Sequence, residues 1–122
     1  MRIILQFPEG LKAKALEEAA KLEKEGHEVF VSCSPCYGAC DLCLEEARLV
    51  KADRIMHFGH GEFMKVKNEF EIEYVPYFAE LDRKKAGKAI SKGIGMLREI
   101  GAKKVSLVFP IQHLHNSKIA RE

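Results

Sequence analysis

The chain has 122 residues, 47% of them hydrophobic and 31% charged, which is the size of one ordinary domain with enough apolar matter for a real core. Twenty basic against eighteen acidic side chains give a net charge of +2, which neither demands a direct nucleic-acid partner nor forbids an acidic protein one. No apolar run approaches the length of a membrane span and no segment has the make-up of a signal peptide, so a cytoplasmic protein without membrane contact is expected.

Arg2 to Phe7 is a short apolar run and reads as a buried strand, broken by Pro8-Glu-Gly10. A helix is expected from Leu11 to Glu25, with Leu11, Ala15, Leu16, Ala19 and Leu22 at helical spacing and Gly26 closing it. His27 to Cys33 reads as a second strand. A cysteine-rich loop follows, then a helix from about Ala39 to Lys51. Ala52 to Phe58 reads as a third strand, ending in His57-Phe-Gly-His60. Phe70 to Val75 alternates apolar and acidic residues and reads as a fourth. Leu81 to Ile100 is a long helix ended by Gly101, and Lys104 to Phe109 a fifth strand.

This rhythm predicts an α/β fold, a three-layer α/β/α arrangement around a mostly parallel, Rossmann-like sheet of four to five strands. Sites in such sheets lie at the carboxyl ends of the strands. Pro8-Glu-Gly10, the cysteine loop and His57-Phe-Gly-His60 all occupy such ends. Residues 1–104 form the expected first domain. Residues 105–122 are either the start of a second domain or a last strand and helix of the same sheet.

All four cysteines, Cys33, Cys36, Cys40 and Cys43, fall in one loop with spacing C-x2-C-x3-C-x2-C. In a reducing compartment such a cluster points to metal binding or redox chemistry rather than to structural disulfides. If the helix begins at Ala39, Cys36, Cys40 and Cys43 share one side of its first turns. The helix N-terminus would then favour their thiolates, the form that binds iron or zinc. The residues alone leave several readings open. One is a self-contained zinc or iron–sulfur module using all four thiols. Another is a redox pair in Cys33-Ser-Pro-Cys36. A third is the C-x3-C-x2-C spacing of Cys36, Cys40 and Cys43, which resembles radical S-adenosylmethionine enzymes. The plainest is that some of the four are only small buried residues.

Four segments taken in order resemble the diphthamide synthase family. They are Leu5-Gln-Phe-Pro-Glu-Gly-Leu11, Cys36-Tyr-Gly-Ala-Cys-Asp41, Ala52-Asp53 leading into His57-Phe-Gly-His60, and Val75-Pro-Tyr77. Val105-Ser-Leu-Val-Phe-Pro-Ile-Gln-His113 resembles the opening strand of that family's second domain. The resemblance implies a protein of three similar α/β domains, each giving one cysteine to a [4Fe–4S] cluster, with archaeal members homodimeric. It implies a transferase for the first step of diphthamide biosynthesis. The 3-amino-3-carboxypropyl group of S-adenosylmethionine moves to a histidine of translation elongation factor 2. Cys40 is the cluster ligand so implied. Cys33, Cys36 and Cys43 have no place in that ligand set, and two further ligands are expected outside this chain, so that alone it is expected to be inactive.

Glu9, Gly10, Tyr37, Gly38, Gly59 and His60 are candidates for the cofactor pocket, and His57 beside them is a candidate for the same pocket or, with His60, for a proton shuttle. Each has a plainer role. Pro8-Glu-Gly10 could simply start a helix, Gly59 make a turn, and His57 point into the core. Lys84, Lys85, Lys88 and Lys92 read as the solvated face of the long helix, or as a surface for an acidic partner.

Overall fold

The computed structural model describes residues 1–63, 65 and 69–120. The chain divides into two compact units, Met1–Tyr77 and Phe78–Glu122. In the first unit β1 (Arg2–Gln6) leads through a 3-10 stretch (Glu9–Lys14) into α1 (Ala15–Lys24). Then come β2 (Glu28–Val31), α2 (Leu44–Leu49), β3 (Arg54–Phe58) and β4 (Glu71–Val75). The strands form one sheet in the order β2-β1-β3-β4, parallel at every pairing.

Alternation along the strands feeds two cores. Ile3, Leu5, Phe7 and Phe58 pack with Ala15 and Ala19 of α1. Ile4 and Ile55 pack with Cys43, Ala47 and Ala52 around α2. Helices thus cover both faces of the sheet, as the βαβ rhythm requires. Each large apolar side chain so buried contributes roughly 1.5–3 kcal/mol. Gly26 follows α1 with φ +89°, a conformation that suits glycine. Arg54 of β3 bridges Glu71 at 2.9 Å and Glu73 at 3.1 Å on the outer strand β4, so the alternating acids of β4 carry charge rather than core.

The chain moves from β1 outward to β2, then returns past β1 to β3. The loops after β1 and β3 therefore leave neighbouring strands while the cysteine loop comes from the far side of β1. That reversal of strand order is where open α/β sheets place their sites.

In the second unit α3 (Arg83–Glu99) is capped by Asp82, whose carboxylate accepts the Lys85 N–H at 3.0 Å. Lys84, Lys85, Lys88 and Lys92 are exposed on it. The strand expected at Lys104 to Phe109 does not form. Val105, Leu107 and Val108 stay exposed, Val108 at 90%, because within this unit no strand offers a ladder to the backbone. The tail is a 3-10 stretch (Ile111–Ala120), held to the start of the unit by Ala79 N–H to the Gln112 carbonyl (2.9 Å) and Asn116 Nδ2 to the Ala79 carbonyl (3.0 Å). The charged end of that tail, Arg121 and Glu122, lies outside the described residues. Among the described residues no helix is long and apolar enough to cross a membrane.

Candidate functional site at the carboxyl edge of the sheet

Gln6 and His57 are the residues that organise the edge. Parallel register sets Gln6 of β1 beside His57 of β3, and His57 beside Tyr74 of β4. All three stand on the α2 face, at the ends of their strands. The Gln6 side chain is 1% exposed and His57 is fully buried, so their polar atoms need partners. Gln6 Oε1 accepts the Cys43 N–H at 3.2 Å, and its Nε2 donates to the Asp41 carbonyl. His57 Nδ1 lies 2.9 Å from the same Gln6 Oε1, and His57 Nε2 lies 2.9 Å from His60 Nδ1.

These contacts fix the protons in order. The Cys43 amide can only donate, so the atom facing it is the Gln6 oxygen. His57 Nδ1 must then donate to that oxygen, which leaves His57 Nε2 as the acceptor. His60 Nδ1 must donate to it in turn. In its neutral form His60 therefore keeps the free lone pair on Nε2. Burial lowers the His57 pKa from 6.5 to about 4, with the neighbouring His60 adding to the shift, so the ring is neutral near pH 7. Burial also lowers the His60 pKa, against a smaller opposing pull from Asp41.

The cysteine loop is folded around Asp41. Its carboxylate accepts the Tyr37 N–H at 2.8 Å and the Gly38 N–H at 3.1 Å, and its own N–H donates to the Gly38 carbonyl at 3.1 Å. The helix expected from Ala39 begins only at Leu44. The backbone groups of Tyr37, Gly38, Asp41 and Cys43 are taken by Asp41 and Gln6, and are lost to a helical ladder. Cys36, Cys40 and Cys43 accordingly do not line one side of a helix.

All four thiols are free. Cys36 and Cys43 are buried, Cys33 and Cys40 exposed. Burial pushes the Cys43 thiol up to about 12, with Glu46 adding to it. Burial raises Cys36 as well, with Asp41 next in effect. Proximity to a helix start does not favour the thiolate at either position, because desolvation outweighs it. Among the described residues the four sulfurs are not gathered into one ligand set. The set of three ligand atoms that does come together is one each from Cys36, His57 and His60, all within 4.8 Å of one another. Pointing into the core was the plainer of the two roles weighed for His57. It does point there, and it also supplies the inner ring of this cluster.

Cys40 sits in the Asp41 turn with its thiol in solvent, and Gly38 is beside it: a Cβ added to Gly38 would meet the Cys40 sulfur at 3.6 Å. Tyr37 projects outward at 77% exposure. The Glu9 carboxylate is occupied within the protein, paired with Lys12 Nζ at 2.6 Å and accepting the Cys36 N–H at 3.4 Å. Lys12 also holds the carbonyls of Cys33 (3.2 Å) and Ser34 (3.1 Å), so the first loop clamps the second. A Cβ on Gly10 would meet nothing within 4 Å. Gly59 has φ +78°, and a Cβ there would lie 3.0 Å from both Leu11 Cδ1 and Pro8 Cγ, so this glycine lets the third loop close on the first.

Gln6 is the site residue that sequence reasoning missed. The signal was present: one amide at the carboxyl end of an otherwise apolar buried strand, where an unpaired polar group is costly.

The family model described as "Putative diphthamide synthesis protein" matches residues 7–122. The 2-(3-amino-3-carboxypropyl)histidine synthase of Pyrococcus horikoshii is 38% identical over 121 residues, covering 99% of this chain and 34% of the relative. The enzyme of the same name from Methanocaldococcus jannaschii is 27% identical over 120 residues, covering 92% of this chain and 35% of the relative. The crystal structure of Dph2 from Pyrococcus horikoshii superposes with a TM-score of 0.78 at 36% identity, over 98% of this chain and 34% of that one. The structure of that protein with a 4Fe-4S cluster gives 0.79 at the same identity and coverage. The chain thus spans about a third of the length of the relatives it matches. With its parallel α/β sheet and its cysteine and histidine motifs in family order, the chain belongs to the diphthamide synthesis protein family.

Proposed function

We propose that this chain is the first domain of a 2-(3-amino-3-carboxypropyl)histidine synthase, and that Cys40 is its ligand to a [4Fe–4S] cluster. The observation that carries the reading is Cys40 itself: an exposed thiol in a pinned turn at the carboxyl edge, free to meet ligands supplied from elsewhere. The donor set fits one leg of such a site, since Cys36 and Cys43 are buried while Cys40 reaches solvent. When bound, the cluster supplies the electron that cleaves a sulfonium carbon–sulfur bond of S-adenosylmethionine. The chain's own residues hold the turn: Asp41 fixes the Tyr37 and Gly38 amides, and Gln6 fixes Asp41 and Cys43. Tyr37, Gly38, Gly59 and His60 border the edge where S-adenosylmethionine would lie, with Glu9 and Gly10 in the loop beneath.

The protein substrate in this reading is a histidine of translation elongation factor 2. The assembly is a homodimer and its compartment the cytoplasm. Anaerobic reconstitution of the protein carrying this chain with iron and sulfide tests it. The visible absorption of a cluster, and transfer of the labelled 3-amino-3-carboxypropyl group to elongation factor 2, are expected to disappear in Cys40→Ala and to persist in Cys33→Ser. A cluster that survives Cys40→Ala and is lost in Cys36→Ala or Cys43→Ala would overturn the assignment in favour of the C-x3-C-x2-C set.

A further inference from the structure

We propose that Cys36, His57 and His60 form a binding site for one zinc-class divalent metal ion, separate from the cluster ligand assigned to Cys40. Their three ligand atoms converge within 4.8 Å, a convergence that no other set of histidine, cysteine or carboxylate groups matches among the described residues. Cys36 and His57 are buried at 1% and 0% exposure, and His60 is half-buried. The site is therefore walled by protein rather than assembled on a mobile surface.

The orienting groups of a metal site are already in place. A ligating imidazole commonly donates its other ring N–H to an oxygen, which fixes the tautomer and aims the ligating nitrogen. His57 does this: Nδ1 lies 2.9 Å from Gln6 Oε1, leaving Nε2 as the ligand atom. Gln6 is itself locked by the Cys43 amide and the Asp41 carbonyl. The Cys36 N–H to Glu9 contact, at 3.4 Å, steadies the thiol's backbone in the same way.

The spacing also fits. His57 Nε2 and His60 Nδ1 are 2.9 Å apart, joined through one proton. Two imidazole nitrogens on one tetrahedral ion, each bonded at 2.0–2.1 Å, sit about 3.3 Å apart. A slight opening of the pair lets an ion replace the shared proton, set to one side of the line between the two nitrogens. One sulfur and two imidazole nitrogens suit zinc, and its cobalt and iron analogues, and not calcium or magnesium. Three protein ligands leave the fourth position for water or a substrate atom.

The proton balance is simple. The ion enters as a dication, and Cys36 loses its thiol proton to solvent as the sulfur–metal bond forms. His60 passes its Nδ1 proton to Nε2 through solvent and stays neutral. One proton is released per ion, and no electron moves.

The test is titration of iron-free protein with cobalt(II) under nitrogen. The expected result is saturation at one equivalent, with the visible d–d bands of tetrahedral cobalt and a near-ultraviolet thiolate-to-cobalt band. Cys36→Ser is expected to abolish the thiolate band, His60→Ala to collapse the d–d bands, and Cys40→Ala to leave both. Gln6→Leu, which touches no metal, is expected to weaken binding about 10- to 100-fold. Should Cys36→Ser fail to fold, His60→Ala, on the half-buried loop, carries the same decision. Absence of saturable cobalt, bands that survive both Cys36→Ser and His60→Ala, or bands lost in Cys40→Ala would each overturn the proposal. None of these results touches the iron–sulfide assay, so the two assignments stand or fall separately.

Discussion

Replacing Gln6 by Leu removes the centre of the hydrogen-bond chain at little change in volume. Three groups lose their partner: the Cys43 N–H, His57 Nδ1–H and the Asp41 carbonyl. Asp41 is exposed, so its carbonyl finds water at little cost. The other two donors are buried, and each unsatisfied one costs about 1–3 kcal/mol. Burial of the leucine side chain returns about 1 kcal/mol. The net loss is about 3 kcal/mol, which at a urea slope of about 2 kcal/mol per M lowers the midpoint by about 1.5 M. The assay has a built-in label. The chain has no tryptophan, and its three tyrosines, Tyr37, Tyr74 and Tyr77, all lie in Met1–Tyr77, so tyrosine fluorescence follows that unit alone. The Gln6→Leu and His57→Leu losses must also fall short of additive, because the double variant leaves one orphan donor rather than two. A midpoint drop under about 0.5 M, or full additivity, would refute the assignment of Gln6 as the anchor, given that slope.

Gly59→Ala sets a Cβ 3.0 Å from Leu11 and Pro8 in a left-handed conformation, so about 1–2 kcal/mol of backbone strain adds to about 1–3 kcal/mol of overpacking. The same fluorescence midpoint measures it, and a loss below about 1 kcal/mol would show that the loops part freely. Metal-free protein is expected to lose stability in acid. The unfolded chain binds a proton at His57 near pH 6.5, which the folded chain refuses until about pH 4. Stability is therefore complete above pH 6.5 and falls as the pH drops toward 4, by about 3 kcal/mol from this ring. His60 shifts in the same direction. His57→Leu is expected to flatten most of that slope, and an unchanged slope would place the acid sensitivity elsewhere.

The sheet was legible because its strands are short apolar or alternating runs separated by glycine and proline, and the parallel order of the first three followed from the helices between them. The edge carrying the motifs followed from topology. The boundaries that failed did so for tertiary reasons. Residues 39–43 have helical composition, yet Asp41 and Gln6 take their backbone groups. Residues 104–109 have strand composition, yet a strand exists only with a neighbour. The spacing of the four cysteines suggested one site. Burial separates them, two inside and two outside, and spacing cannot report burial when strand, loop and helix meet within one stretch. His57 and His60 were marked from their motif, but their link to Cys36 needed the register of β1 on β3.

The bond sequence from the Cys43 amide to His60 runs in one sense only, and it could run in the other. If the cysteine loop drew that amide away, the Gln6 carboxamide would be free to turn over. It would then donate to His57, His57 would donate to His60, and the outer nitrogen of His60 would change from acceptor to donor. Loop position and proton polarity are thus one variable read at two places. Nitrogen chemical shifts of the two rings would report a rearrangement of the cysteine loop without any probe placed on it.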